Sequence, residues 1–156
     1  MRYTEIHPQA TKPVAAAFLE HLIKVVPYKI HIVLTDNGVQ FTSRPGQDTW
    51  RVHIFERVCQ AHSIEHRLTK VNHPWTNGQV ERMNRTIKEA TVKLYHYVSV
   101  DQLRSHVHDF LMAYNFAKRL KALQGKTPYE YICHIYIDKP RLFTQNPFHH
   151  IVGLNI

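Results

Sequence analysis

The fold is decided by Ile30-His31-Ile32-Val33-Leu34-Thr35-Asp36-Asn37-Gly38, a short apolar run of mainly β-branched residues that ends in an acid and a turn dipeptide. Such a run predicts a strand covered on both faces, and Asn37-Gly38 breaks it. A second short run from Ile64 to Leu68 predicts another strand. Apolar residues at helical spacing between about Trp50 and His62 predict a helix between the two. This alternation indicates an α/β fold with at least part of its sheet parallel.

Helical patterns continue on both sides of this unit. Apolar residues recur at helical spacing from Thr11 to Pro27, and the residues from Arg2 to Ile6 alternate like the end of a strand. Downstream, Thr76 or Asn77 can cap a helix whose buried stripe runs from Val80 to Tyr97. We therefore expect the chain to begin inside a strand and to reach a long amphipathic helix after its last strand.

Two more helices and a tail complete the pattern. Asp101 opens a helix whose apolar residues extend to Tyr114. A shorter helix begins at Thr127, with Pro128 in its first turn and Glu130 at the spacing of a capping box. The residues after Asp138 have no period, so we expect an extended tail there.

The composition fits one folded domain with a polyanionic partner. The chain has 156 residues, of which 44% are apolar and 11% aromatic, enough for a real core. Lys and Arg number 20 against 12 Asp and Glu, and the net charge of +8 favours a polyanion. Cys59 and Cys133 are too few for a disulfide framework or a zinc knuckle, and no apolar run near the start is long enough for a signal or a membrane span. We expect a soluble, intracellular protein with no membrane partner.

Two acids stand out by their surroundings. Asp36 follows the first strand at its carboxyl end, where ligands collect in parallel sheets, although Asp before Asn37-Gly38 is also typical of an Asx-turn. Glu81 stands where a helix begins, although a carboxylate there also gains from the helix dipole and can pair with Arg85. The 45 positions from 36 to 81 leave room for a loop, a helix and a strand before the chain returns to the same sheet edge. Convergence of the two acids would make a hard oxygen site of the kind that Mg²⁺ prefers.

Two motifs together resemble a known family. One is Leu34-Thr35-Asp36-Asn37-Gly38, and the other is His73-Pro74-Trp75-Thr76-Asn77-Gly78-Gln79-Val80-Glu81-Arg82-Met83-Asn84-Arg85-Thr86. They resemble the last two acids of a DDE transposase or retroviral-type integrase catalytic core, in particular that of bacterial insertion-sequence transposases. The resemblance extends from Tyr3 to Asn155. It implies a ribonuclease-H-like α/β core that here lacks its first two strands, followed by C-terminal helices and an extended tail.

The resemblance also divides the chain and identifies a site. Residues 1–98 are expected to form a partial integrase catalytic core, residues 99–137 a helical extension of the same domain, and residues 138–156 the extended tail. Asp36 and Glu81 are implied as catalytic residues that hold Mg²⁺ or Mn²⁺. The first Asp of the family's triad is absent, and neither Glu5 nor Asp48 matches its position.

Side chains with hydrogen-bond donors beyond Glu81 indicate a nucleic-acid contact. Asn84, Arg85 and Lys88 lie one to two turns further along the expected helix and can follow a DNA backbone, or can form a solvated polar face. Trp75 can stack on a base or anchor its loop. A second group of basic residues follows further along the chain and consists of Lys118, Arg119, Lys121 and Lys126. These side chains can contact phosphate, or they can belong to a solvated connection between helices.

The expected function is transposase- or integrase-type DNA strand cleavage and transfer by two-metal phosphoryl transfer. The resemblance implies an enzyme, although this chain by itself, without the first Asp of the triad, is expected to be inactive. The alternative is a catalytically inactive remnant of a transposase that binds DNA or another protein. The partners would be DNA, as transposon ends and target, and either further copies of this chain or a full-length transposase subunit. The expected location is the bacterial cytosol, associated with the nucleoid when DNA is bound.

Overall fold

The computed structural model describes residues 1–43, 52–69 and 78–149 of the chain. Its helices and strands, in chain order, are α1 (Lys12–Val25), β1 (Ile32–Thr35), α2 (Ile54–Ala61), β2 (Glu65–Leu68), α3 (Gly78–Ala90), α4 (Val100–Phe116) and α5 (Pro128–Asp138). Short 3-10 turns cover Lys121–Leu123, Pro140–Leu142 and Pro147–His149. The chain divides into two compact units. We call residues 5–24 and 30–81 the strand unit, and residues 1–4, 25–29 and 82–156 the helical unit.

The strand unit is built on a parallel pair of strands. β1 and β2 pair in register from Ile32 opposite Glu65 to Thr35 opposite Leu68. Parallel strands need a crossover connection, and α2 lies in the chain between them, as the sequence predicted. The core of the unit comes mainly from α1 and α2, through Ala15, Ala16, Leu19, Phe55, Val58, Cys59 and Ile64. The predicted α/β class with a parallel pair is confirmed.

Within the described residues, β1 is covered on one face, which corrects the expectation of a strand buried on both. Val33 packs against the core and Thr35 is buried, whereas Ile32 and Leu34 are 47% and 48% exposed. Successive residues of a strand point to opposite faces, so the apolar run gives one face to the core and leaves the other half exposed. The run itself cannot show which face is covered, because other parts of the chain supply the cover.

The strand expected from Arg2 to Ile6 is wrong, since these residues form no strand. The backbone of Arg2 is instead bound by the side chain of Asn115 in α4. Asn115 Oδ1 accepts a hydrogen bond from Arg2 N at 2.8 Å, and its Nδ2 donates to Arg2 O at 2.8 Å. Asn115 is 3% exposed. One amide side chain therefore makes the pair of hydrogen bonds that a neighbouring strand would supply.

α3 is shorter than the predicted apolar stripe. It ends at Ala90, and Thr91 follows, with its Oγ1 donating to Ile87 O at 2.7 Å. Met83 is buried, but Val80 near the start is exposed and Leu94 beyond the helix is 67% exposed. The stripe from Val80 to Tyr97 is therefore wrong at both ends. The predicted caps at positions 76 and 77 lie outside the described residues.

Side-chain caps define where the last two helices begin. Ser99 caps α4 by accepting from Gln102 N through Oγ at 3.2 Å, so the helix begins slightly before the predicted Asp101. α5 begins with the capping box that the sequence predicted. Thr127 Oγ1 accepts from Glu130 N at 3.1 Å, and Glu130 Oε2 accepts from Thr127 N at 2.8 Å.

The residues after α5 pack on it through aromatic rings. The ring of Tyr136 meets that of Phe143 edge to face at 5.2 Å between centroids, and that of Phe148 at 6.1 Å. Lys29 N donates to Leu142 O at 3.1 Å, which ties this segment to the backbone of residues 25–29. In the tail expected over residues 138–156, residues 138–149 thus include two 3-10 turns, and residues 150–156 lie outside the described part.

The Asn115 side chain makes two hydrogen bonds to the Arg2 backbone, which we call the Asn115 clamp, and this arrangement leads to a prediction about stability. Asn115→Asp keeps the size of the side chain and the acceptor for Arg2 N, but it removes the donor to Arg2 O. We expect it to lower the free energy of unfolding by about 1–3 kcal/mol, because a buried carbonyl loses its partner and a carboxylate is buried in its place. Urea denaturation measures the change. The matched control is Asn146→Asp, which alters an amide near the end of the described chain; equal midpoints for the two variants would contradict the clamp.

Candidate metal and nucleic-acid site

Asp36 lies at the carboxyl end of β1, where the turn holds its side chain. The carboxylate is exposed, and its Oδ1 accepts a hydrogen bond from Gly38 N at 2.8 Å. This is the Asx-turn that the sequence left open as an alternative. The turn occupies one carboxylate oxygen, and Oδ2 has no partner among the described residues. Asp36 therefore serves the turn and still has an oxygen free to bind a ligand.

The backbone around Asp36 is fastened to the end of β2. Thr69 N donates to Thr35 O at 2.8 Å, which continues the parallel ladder by one residue. Asn37 Nδ2 donates to Thr69 O at 3.0 Å and so closes the gap between the two strand ends. On the far side of the turn, Phe41 N donates to Gly38 O at 2.9 Å, and the Phe41 ring packs on the core. The loop that presents Asp36 is thus fixed at both ends.

Glu81 lies in the first turn of α3 and is exposed. Within the described ranges it forms no ion pair with Arg85, so the predicted alternative of a paired helical carboxylate is not realised there. Asp36 and Glu81 both belong to the strand unit, although 36 stands at a strand end and 81 near a helix start. Asn84, Arg85 and Lys88 are exposed and follow Glu81 on α3 at the spacings of three, four and seven that share one helix face.

Other titratable groups of the strand unit are buried or already make hydrogen bonds within it. Arg67 donates to Glu65 from Nε at 2.7 Å and from Nη2 at 2.8 Å, and these bonds lower the pKa of the Glu65 carboxyl. Burial raises the pKa of the Cys59 thiol to about 11, so it stays protonated at neutral pH and is no thiolate ligand. Burial also lowers the pKa of His53, whose Nδ1 accepts from Phe55 N as the cap of α2.

The donor chemistry of Asp36 and Glu81 fits a divalent hard cation. Both offer exposed carboxylate oxygens, and Mg²⁺ is held in proteins by one or two carboxylates with water and substrate phosphate completing an octahedron. Among residues 1–43, 52–69 and 78–149, no group of three or more His, Cys, Asp or Glu side chains is placed to hold a metal. A site built on these two acids would suit one well-hydrated ion, and a second ion would need another carboxylate.

Of the remaining candidate residues, some lie outside the described part of the chain and others make structural contacts. Trp75 and Asp48 lie outside the described residues. In the second basic group, Lys118 Nζ stands over the Tyr114 ring at 5.3 Å, and Arg119 donates to Gly125 O at 3.0 Å. These contacts support the interpretation of Lys118 and Arg119 as parts of a folded connection.

The sequence did not predict the hydrogen bonds of a histidine that lies beneath the Asp36 loop. The side chain of His66 is 6% exposed and its Nε2 lies 2.8 Å from Thr35 Oγ1. Its Nδ1 lies 3.1 Å from Glu56 Oε2. The only available signal was a histidine on the core side of a strand, which does not distinguish a hydrogen-bonded core residue from any other.

Comparison with known proteins agrees with the fold. Residues 62–128 match a family model described as an integrase core domain. The structure resembles the crystal structure of the catalytic core domain of BIV integrase with a TM-score of 0.59 and 22% sequence identity, over 88% of this chain and 78% of that one. The likeness is one of fold, and it is the ribonuclease-H-like fold that the sequence predicted.

Sequence relatives support the same family. An uncharacterized protein of Caenorhabditis elegans is 32% identical over 137 residues, which is 85% of this chain and 10% of that protein. A putative integrase of Spiroplasma virus SpV1-C74 is 24% identical over 111 residues, 69% of this chain and 30% of that protein. The chain thus spans a tenth to less than a third of these relatives. Together with the family match over residues 62–128 and the fold, they show that the chain is similar to retroviral-type integrase cores. In its described part, no helix has the length and apolar character needed to cross a membrane.

The two roles of Asp36 can be separated by substitution. Asp36→Asn retains an oxygen that can accept from Gly38 N, so we expect the free energy of unfolding to change by less than about 0.5 kcal/mol. Asp36→Ala removes the acceptor and should cost about 0.5–1.5 kcal/mol. Urea denaturation of the two variants beside the wild-type chain tests this. If Asn proves as costly as Ala, the turn needs the charge as well as the oxygen.

Proposed function

We propose that the function of this chain is integrase- or transposase-type cleavage and transfer of DNA strands, as the catalytic core of such an enzyme. The integrase core family that residues 62–128 match supports a DNA integration-type function, since integrase cores in general are polynucleotidyl transferases. The observation that carries the proposal is Asp36, an exposed carboxylate with a free oxygen, held rigidly at the carboxyl end of a parallel strand. In α/β sheets that is where ligands bind.

The proposed metal ligands are Asp36 and Glu81, binding Mg²⁺ or Mn²⁺. When bound, such ions activate the attacking oxygen and neutralise charge on the leaving oxygen of an in-line displacement at phosphorus. Asp36 would bind through Oδ2 while its Oδ1 keeps the hydrogen bond to Gly38 N. Glu81 would bind from the first turn of α3. Two-metal chemistry would require a third carboxylate, because described residues supply no further one to the set.

The proposed DNA contact is the polar face of α3 formed by Asn84, Arg85 and Lys88. All three side chains are exposed and carry hydrogen-bond donors that suit phosphate oxygens. They follow Glu81 along the same face, so a backbone bound there would continue from the proposed metal ligand. The net charge of +8 supports binding that depends on charge more than on base sequence. Trp75 remains a candidate for stacking on a base.

The alternative function is that of a DNA-binding or protein-interaction module without chemistry. It is favoured by one observation, that no cluster of three metal-binding side chains occurs in the described ranges. Both proposals share transposon-end or target DNA as the ligand and either a second copy or a full-length transposase subunit as protein partner. Both proposals place the protein on DNA. In a bacterium, that location is the nucleoid in the cytosol. They differ in whether metal-dependent nicking occurs.

Metal binding is tested with Mn²⁺ as the probe. We expect Mn²⁺, followed by electron paramagnetic resonance, to bind the wild-type chain, and Asp36→Asn or Glu81→Gln to weaken binding at least about tenfold. Glu65→Gln is the matched control, because that carboxylate is engaged by Arg67. The same variants in a nicking assay on supercoiled DNA decide between the two functions. Equal Mn²⁺ affinity in all four proteins would remove Asp36 and Glu81 from the site.

DNA binding is tested by its dependence on salt. Replacing both Arg85 and Lys88 by Ala should reduce the slope of log affinity against log salt by about 1.8 for duplex DNA, since two phosphate contacts are lost. The control replaces Lys24 in α1 and Lys139 after α5, which are exposed cations on other elements, and removes the same charge. A slope that changes equally in both double variants would show that net charge alone acts. A slope unchanged in the α3 variant would show that this face does not touch phosphate.

A further inference from the structure

A polar cluster lies in the strand unit next to the Asp36 loop, and its outer member, Glu56, is 36% exposed. It consists of Thr35 at the end of β1, His66 in β2 and Glu56 in the first turn of α2, and we call it the His66 network. His66 Nε2 lies 2.8 Å from Thr35 Oγ1, and His66 Nδ1 lies 3.1 Å from Glu56 Oε2. The ring also packs on Phe55, with centroids 4.9 Å apart. Each nitrogen of the imidazole therefore has a partner, and the ring packs against Phe55 of the core.

The position of His66 is one where an apolar side chain would be ordinary. It is paired in register with Val33, which packs against the core, and Thr35 two residues on is buried on the same side. Burying an imidazole there is costly unless its nitrogens are bonded. The described residues contain no buried side-chain nitrogen or oxygen without a partner, so the cluster is fully satisfied. A satisfied polar network in a core holds one arrangement more strictly than apolar packing does.

The network leads to the backbone of Asp36. Thr35 Oγ1 donates to Asp36 O at 3.1 Å, and the same hydroxyl oxygen is the atom that faces His66 Nε2. The side chain of Asp36 is held as well, because its carboxylate accepts a hydrogen bond from Gly38 N. A continuous chain of hydrogen bonds thus runs from Glu56 through His66 and Thr35 to the peptide of Asp36, in which Nδ1–H of the ring donates to the Glu56 carboxylate, Nε2–H donates to the Thr35 hydroxyl, and that hydroxyl donates to the Asp36 carbonyl. If the imidazole turned, the Thr35 hydroxyl would lose its hydrogen bond to the ring. The Asp36 carbonyl would then no longer be held in one direction.

We propose that His66 is a positioning residue for the Asp36 carboxylate, acting through Thr35, with Glu56 orienting the ring. This inference rests on the proposed role of Asp36 as a metal ligand. Removing a group that orients a metal ligand through hydrogen bonds weakens the metal affinity by about tenfold to a hundredfold. His66 itself touches neither the metal nor DNA in this proposal.

The test uses a double variant that removes the network and keeps the core. Thr35→Val together with His66→Phe replaces both partners by apolar groups of similar shape, and the carbonyl that loses its donor belongs to the exposed residue Asp36. Glu56 is partly exposed and becomes solvated. Thr35→Ser retains the hydroxyl and is the conservative control. Urea denaturation establishes that each variant is folded.

Two readouts report on Asp36 separately. The first is hydrogen exchange of the Gly38 amide, which donates to Asp36 Oδ1 and needs no metal. We expect exchange about threefold to tenfold faster in the double variant and close to wild type in Thr35→Ser. The second is Mn²⁺ affinity, which should fall about tenfold to a hundredfold in the double variant and stay near the wild-type value in Thr35→Ser.

The outcomes distinguish this inference from the proposed function. A folded double variant with unchanged Gly38 exchange and unchanged Mn²⁺ affinity overturns the inference, because the ring then only fills the core. If the wild-type chain binds no Mn²⁺, the proposed function fails, and Gly38 exchange alone decides whether His66 positions the loop. If the double variant does not fold, Glu56→Ala carries the test, since that side chain is at the edge of the core. Faster Gly38 exchange in Glu56→Ala supports the role of His66, and unchanged exchange overturns it.

Discussion

The parallel pairing of β1 with β2 is the constraint on which the proposed site depends. A parallel pair brings the carboxyl ends of both strands to one edge, and the bond from Thr69 N to Thr35 O extends the ladder to the residue before Asp36. Asn37 then joins the turn to the end of β2. Without this pairing, Asp36 would stand on a free loop. With it, an exposed carboxylate acquires a fixed backbone.

The core beneath this edge combines apolar packing with a polar network. Phe55 and Cys59 of α2 are almost fully buried, and the ring of Phe55 contacts both Phe41 and His66. Apolar packing alone sets the distance between helix and sheet but allows small rotations of side chains. Hydrogen bonds of fixed direction restrict those rotations. A site that must hold a cation benefits from the second kind of restraint, because metal ligands tolerate little displacement.

The helical unit is organised by local caps and by side chains that bind backbone. Thr127 and Glu130 close the start of α5 reciprocally, and Asn115 holds Arg2 from both its amide oxygen and nitrogen. Aromatic contacts of Tyr136 hold the residues that follow α5. These contacts stabilise the unit without engaging the polar residues of α3. The exposed side chains of Arg85 and Lys88 are thus free of the packing that forms the unit.

Sequence alone determined the elements that depend on local pattern. The helix at Lys12–Val25, the two strands, the helix between them and the capping box of α5 all follow from apolar spacing and cap residues, which act over a few positions. The two motifs around Asp36 and Glu81 also sufficed to predict the resemblance to integrase cores, because the residues of each motif are contiguous. The Asx-turn at Asp36 was predictable for the same reason.

Only the tertiary structure decided what depends on distant partners. The alternation from Arg2 to Ile6 suggested a strand, but Asn115, more than a hundred positions away, binds that backbone instead. The apolar run of β1 could not reveal that Ile32 and Leu34 lie half exposed, since the cover of a strand comes from elsewhere in the chain. The role of His66 was hidden for the same reason. Whether a buried imidazole is tolerated depends on the hydrogen-bond partners it meets, and Thr35 and Glu56 reach it only when the chain has folded.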